Sequence, residues 1–152
     1  MRKLVIALAI GAALATNAPP AGAAISQKAP TPTHVVKASF DALNRGDAVA
    51  SAAYFATNGK LITPLGGCNP CTGRAVIQEH LSAAVANGTK VTLMGRTHVK
   101  GTTVVVRGEV RASSFPPGIE RVIGIFRSTI RQGLIVRQKT TTTGATRRPR
   151  HS

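Results

Sequence analysis

Aromatic residues are almost missing from this chain: no tryptophan, one tyrosine and four phenylalanines among 152 residues. None of them interleaves with the basic residues as a stacking platform, and no nucleic-acid-binding motif is present, so sequence-specific recognition of nucleic acid is not expected. Acids are equally scarce. Five Asp and Glu stand against 20 Lys and Arg, a formal charge of +15, and such an excess favours polyanionic partners while leaving the fold open. Cysteine occurs only twice, as Cys68 and Cys71. Two thiolates leave a zinc site two ligands short, and His34, His80, His98 and His151 offer no paired spacing, so neither a metal nor a cofactor is expected. After residue 24 no apolar run approaches the roughly 20 residues needed to cross a membrane.

What is present begins with a leader. Arg2 and Lys3 precede an apolar run, Leu4 to Ala15, and "NAPPAGAA" ends in small residues with Ala21-Gly22-Ala23 as an A-x-A site. That is the layout of a cleaved secretory signal peptide over residues 1–24, and it predicts a secreted or periplasmic protein. Its removal with Arg2 and Lys3 leaves 18 basic residues against five acidic ones. The remaining length suits one domain with one core. In an oxidising compartment the pair Cys68 and Cys71, in "GGCNPCTGR", reads as a disulfide. The bridge closes a loop of about four residues, worth about 2 kcal/mol by chain entropy, which makes it a local clip rather than a staple for the whole fold. Thiol exchange is the other reading, because a helix beginning after Cys71 would favour its thiolate.

Residues 25–34 read as an extended Pro-rich lead. "THVVKASFDALNRGD" then sets Val36, Phe40 and Leu43 on one helical stripe. Gly46 ends that helix, and Asp47 is placed to cap a second short one, "AVASAAYF". Asn58-Gly59 reads as a turn into a short strand, Lys60 to Thr63, stopped by Pro64. A third helix in "GRAVIQEHLSAAVANG" turns Ile77, Leu81, Ala84 and Val85 inward. From Lys90 the apolar period changes from about 3.6 to about 2, marking four strands over residues 90–99, 102–112, 119–131 and 134–138 or a little beyond. Their short connections predict an antiparallel meander. Residues 140–152 lack an apolar period and read as a basic flexible tail.

"FDALNRGDAVASAAYFATNGKLITP", a loop, "GRAVIQEHL" and then long strands resemble the nuclear transport factor 2-like superfamily, its SnoaL-like members in particular, over Val35 to Gln138. The resemblance implies an α+β fold over residues 35–139: a cone-shaped, curved, mostly antiparallel sheet wrapped around three N-terminal helices. It also implies a pocket for a small apolar molecule. Members include steroid isomerases, epoxide hydrolases, polyketide cyclases and binding modules, so the fold alone selects no activity. Against the steroid isomerases, the catalytic tyrosine position is Ser39, the base position before the proline is Thr63, and the acidic donor falls near Phe126. These departures turn the expectation away from that enzyme.

Strand alternation sorts residues onto two faces. One is apolar: Val91, Leu93 and Val99; Val104, Val106 and Val110; Val122, Phe126 and Ile130; Leu134, Val136 and Gln138. With the helices it suggests a ligand pocket lined by Phe40, Tyr54, Leu61, Leu81, Leu93, Val106 and Phe126. The opposite face gathers Arg96, Arg107, Arg111, Arg127, Arg131 and Arg137, with Lys90, Lys100 and Lys139 beside them and Glu109 as their one acid. It reads either as a solvated face or as an anion-binding face for an envelope polymer or acidic lipid surface. So many like charges also oppose a simple face-to-face dimer, which leaves the oligomeric state open.

Chemistry, if any, falls to His80, Tyr54 or Asp41. His80 sits at the edge of an apolar stripe, as a boundary histidine, a general base or a metal ligand. The Tyr54 hydroxyl could orient a ligand or sit at the core edge. Asp41 reads as solvent-facing or arginine-paired, with a pocket role as the alternative. Asp47 is a helix cap, Glu79 is solvated, and Arg74 is an exposed or Asp-paired arginine. The expectation is an exported binding module for a small apolar ligand. A cyclase, isomerase or hydrolase with a non-standard site and a polyanion-binding protein are the alternatives.

Overall fold

The computed structural model describes residues 29–147. The leader and residues 25–28 and 148–152 lie outside the described residues. Helix α1 spans Pro32–Asn44, with the Thr31 side chain accepting from His34 N at 3.3 Å. The helix therefore starts inside the stretch read as an extended lead to residue 34. Pro32 is favourable there, because the missing N–H is one that no helical carbonyl would receive. Helix α2, Ala48–Ala53, is capped by Asp47, which accepts from Ala50 N at 2.8 Å. The two helices are tied by their serines: Ser51 Oγ donates to Ser39 O at 2.9 Å inside the core.

The strands are β1 (Phe55–Ile62), β2 (Cys71–Thr72), β3 (Lys90–Lys100), β4 (Thr103–Arg111), β5 (Ile119–Arg131) and β6 (Leu134–Arg147), with helix α3, Arg74–Ala86, between β2 and β3. They form one sheet in the order β2-β1-β6-β5-β4-β3. Only β1 and β6 pair in parallel; the other neighbours are antiparallel. The expected α+β architecture, a curved sheet around three helices, is the observed one. The Asn44 amide fastens α1 to β3 as a strand partner would, donating to Val91 O at 2.7 Å and accepting from Val91 N at 2.8 Å.

Other local expectations change as well. Asn58-Gly59 is no turn but an irregular stretch inside β1, whose pairing with β6 shifts between Phe55 and Lys60. Gly59 is needed there because an added Cβ would lie 3.1 Å from Ile135 O. The short β2 has no sequence signal and forms by pairing Cys71 with Leu61. Residues 140–147 are not a flexible tail: they extend β6 along β5, from Thr140 opposite Phe126 to Arg147 opposite Ile119. Threonine suits such a paired surface despite its polarity. Finally, a bulge between Thr129 and Ile130 slips β6 by one residue. Ile135 is thereby fully buried, whereas Leu134 and Val136, expected inside, are only half-buried. A slip of one residue exchanges the faces of a strand.

On β4 and β5 the alternation holds without interruption, with Val104, Val106, Val110, Val122, Phe126 and Ile130 buried. Phe40 of α1 meets Phe126 edge to face, with ring centroids 4.8 Å apart. The far half of β3 is different. A bulge between Met94 and His98 breaks its pairing, and Val99, expected inside, is 51% exposed. It lies opposite the buried Val104, but on the outermost strand of the sheet. Arg96 and Lys100 on that edge discourage pairing with another chain.

Candidate functional site

The sheet and helices form a half-open cavity of about 730 Å³ between α1, α3, the segment Thr63–Cys68 and the inner faces of β4, β5 and β6. That volume suits a small organic ligand. Its deep wall is mostly apolar, with Phe40, Leu61, Leu81, Val110, Val122 and Phe126 contributing. The polar groups in that wall are uncharged: Thr63, Gln138 and Thr140 line the cavity, each with 6% exposure or less. Ser128 Oγ donates to Gln138 Oε1 at 3.3 Å, and Thr63 Oγ1 accepts from Leu65 N at 3.1 Å. The titratable lining residues, Glu79 and His80, belong to α3.

His80 rests against the cysteine loop, where a Cβ on residue 67 would come within 2.5 Å of Nδ1. Gly67, at φ +71°, is therefore what admits the imidazole. Burial pushes the His80 pKa below the ordinary value of 6.5, because an imidazolium loses hydration there. At neutral pH this ring is an uncharged part of the wall.

Of the expected pocket residues, Phe40, Leu61, Leu81 and Phe126 line the cavity; Tyr54, Leu93 and Val106 do not. Val106 is sealed in the core, and Leu93 and Tyr54 pack against it from outside the cavity. The three candidates for chemistry do not converge. His80 is at the wall, Tyr54 is at the core edge, and Asp41 is on the exposed side of α1, paired with Lys37 at 2.8 Å. Arg74 is neither free nor paired with an acid, since its Nε donates to Phe55 O at 2.8 Å.

Cys68 and Cys71 form a disulfide. The half-buried Cys68 lines the cavity beside Gly66 and Gly67, so the clip holds part of the wall. Potential ligand atoms of Cys68, Cys71 and His80 lie within 4.8 Å of one another. Sequence spacing concealed this proximity because the turns of α3 bring the histidine back to the loop. With both sulfurs joined, no thiolate is available to a metal.

The outer face is less uniformly cationic than alternation suggested. Glu109 accepts from Arg111 at 2.6 Å and from Arg121 at 2.9 Å, and Glu120 lies 3.3 Å from Arg111. The Arg111 hydrogen bond is the main reason that the Glu109 carboxyl titrates below its ordinary range. Lys90 is also committed, donating from Nζ to Asn44 O at the end of α1. Three cations without an acidic partner among the described residues gather elsewhere. Lys60, Arg131 and Arg137 surround a depression of about 500 Å³, together with Asn58, Ile62 and Val136.

The SnoaL-like domain model matches residues 36–138. This chain belongs to the SnoaL-like domain family. Solved structures of the nuclear transport factor 2-like fold resemble it over most of its length. A nuclear transport factor 2-like protein of unknown function from Cytophaga hutchinsonii is 13% identical, with TM-score 0.63 over 77% of this chain and 94% of that one. A putative polyketide cyclase from Sinorhizobium meliloti is 23% identical, with TM-score 0.60 over 70% and 93% of the two chains. A putative ketosteroid isomerase from Kribbella flavida is 20% identical, with TM-score 0.61 over 79% and 83%. Comparison with curated proteins returned no match.

Within this SnoaL-like frame the three departures from the isomerase pattern acquire positions. Ser39 does not line the cavity; its hydroxyl contacts Ser51 Oγ and Ser51 O, each at 3.3 Å. Thr63 lines the cavity but offers a hydroxyl where a carboxylate would be required as base, and Phe126 offers only a ring. Sequence reasoning passed over Gln138 and Thr140 as functional groups, since neutral polar residues on a strand carry no distinctive spacing.

Proposed function

We propose that this SnoaL-like protein is an exported binding module that holds a small, largely apolar molecule in its cone. The carrying observation is the cavity of about 730 Å³, in which an apolar deep wall meets uncharged polar groups and the titratable lining residues, Glu79 and His80, are confined to α3. The names of two structural neighbours, a putative cyclase and a putative isomerase, suit a family frame that accepts small organic molecules. A reaction of that kind needs paired groups with separated pKa values, and Tyr54 and Asp41 stand away from His80. Export rests on the leader, and a disulfide together with the absence of a membrane-crossing helix among the described residues is compatible with it.

The test is to purify the protein without detergent and examine it by native mass spectrometry before and after organic extraction. A discrete co-purifying mass that extraction removes, and that an apolar neutral dye displaces, is the expected result. An empty protein that also takes up no dye would overturn the reading.

A second reading is favoured by the depression around Lys60, Arg131 and Arg137. These cations suit phosphate groups of an envelope polymer or lipid surface. Such binding should weaken steeply as salt rises, and Arg131→Glu with Arg137→Glu should abolish it. Retention of the double variant on phosphate-bearing vesicles at low salt would remove that reading.

A further inference from the structure

The cavity wall carries a more specific message in the state of Gln138. This residue is 6% exposed and faces Ser128 across β5 and β6, with Leu61 beside it on β1. Its oxygen receives the Ser128 hydroxyl, which orients the amide with N–H2 as the remaining polar group. A buried amide uses four hydrogen-bonding positions when fully satisfied, and among the described residues the nitrogen meets no acceptor. It is also not sealed, because the enclosed polar atom without a partner among the described residues is Arg121 Nε. The nitrogen therefore opens onto the cavity that Gln138 lines.

Two hydroxyls stand near it in the fold. Thr140 is the next inward residue of β6, opposite Phe126, and Thr63 follows the end of β1 next to β6. The Thr63 oxygen is already occupied by Leu65 N, leaving its proton for donation. Donors thus gather at one end of an apolar chamber that offers no cation at depth. A carboxylate or phosphate placed there would be desolvated without a counter-charge, since among the described residues neither Lys nor Arg lines the cavity. A hydrocarbon would fill the chamber but leave the amide N–H without an acceptor.

We propose that the cavity selects a neutral, mainly apolar molecule bearing a carbonyl or comparable acceptor oxygen at its buried end, received by the Gln138 amide with help from Thr140 and Thr63. This rests on the binding-module reading above and adds the ligand's chemical class. Gln138 is the specificity-determining residue, Ser128 is the positioning residue that turns its amide, and the apolar wall supplies affinity common to ketone and hydrocarbon alike.

The experiment compares two dyes of one shape. Prodan is a dimethylaminonaphthalene with a propionyl ketone, and its propyl counterpart lacks only the ketone oxygen. Fluorescence titration of the wild-type protein should give about tenfold tighter binding of prodan, with the red-shifted emission of a hydrogen-bonded ketone. Gln138→Met should remove both the preference and the shift. Thr140→Val, a milder change, should reduce the preference, and it keeps the test open if the methionine variant fails to fold. Equal binding of both dyes to the wild type, or a preference that survives in the folded variants, would overturn the donor assignment while leaving the binding module standing. Binding of neither dye would remove the module reading and this inference together.

Discussion

Val106 and Arg107 are neighbours on β4, yet one has 2% of its surface exposed and the other lies open to solvent. The whole middle of the sheet repeats this contrast. The inner face, under the helices, has no charged strand residue at depth and keeps its polarity in hydroxyls and one amide. The outer face carries the arginines, partly neutralised by Glu109 and Glu120 and partly left free around Lys60, Arg131 and Arg137. The difference teaches that alternation does two jobs at once. It builds an apolar chamber whose polar wall groups are uncharged and a surface rich in cations, so the neutral ligand and the anionic one proposed above belong to different faces.

The sharpest way to break the contrast is to move charge between the faces. Val106→Asp should cost about 4 kcal/mol or more, whereas Arg107→Asp should stay within about 0.5 kcal/mol of the wild type; urea unfolding of both variants reads the difference. Phe126→Ala comes next, at about 3–5 kcal/mol, because it removes both the partner of Phe40 and part of the wall. A smaller effect is expected at the loop. Cys68→Ser combined with Cys71→Ser should lower stability by about 2 kcal/mol and leave the far-ultraviolet spectrum unchanged, since the bridge restrains a wall segment and not the sheet.

The smallest effect separates the faces by pH. His80 on the inner wall binds its proton less readily when folded, so its contribution is complete above the ordinary value of 6.5 and is lost as pH falls through the lowered folded value. Glu109 outside shows the same sense in a lower window, below its ordinary 4.5. Between about pH 8 and about pH 5, unfolding midpoints of the wild type should therefore fall more than those of His80→Gln, while Glu109→Gln should keep the wild-type slope. Equal slopes in the wild type and His80→Gln would place the histidine outside the wall.

Much of this layout was legible before folding. Strict alternation from Val104 to Val110 and from Val122 to Ile130 assigned both faces of β4 and β5, and the caps at Gly46 and Asp47 separated the first two helices. Other parts depend on contacts that no single segment encodes. The bulge at Thr129/Ile130 moves Ile135 inward without any special residue to announce it. Asn58-Gly59 resembles a turn because glycine commonly serves turns, whereas here its missing Cβ lets the Ile135 carbonyl approach. The threonines after residue 139 read as tail because their strand character needs β5 beside it. At the site, large apolar residues of the inner face were recognisable, but Tyr54 was directed to the core edge by its place at the end of α2. Gln138 emerged as a ligand group only once Ser128 was seen to hold its oxygen.

The central claim, that the inner face and not the outer one binds the small neutral molecule, is tested most directly by titrating Nile red, a neutral dye, into the wild type, Ala84→Trp and Arg137→Glu. Ala84 lines the cavity and Arg137 lies by the outer depression. Saturable binding that disappears when tryptophan fills the chamber, and is unchanged by Arg137→Glu, is the predicted result. Binding that persists in a folded Ala84→Trp protein, or that is lost with Arg137, would contradict the account.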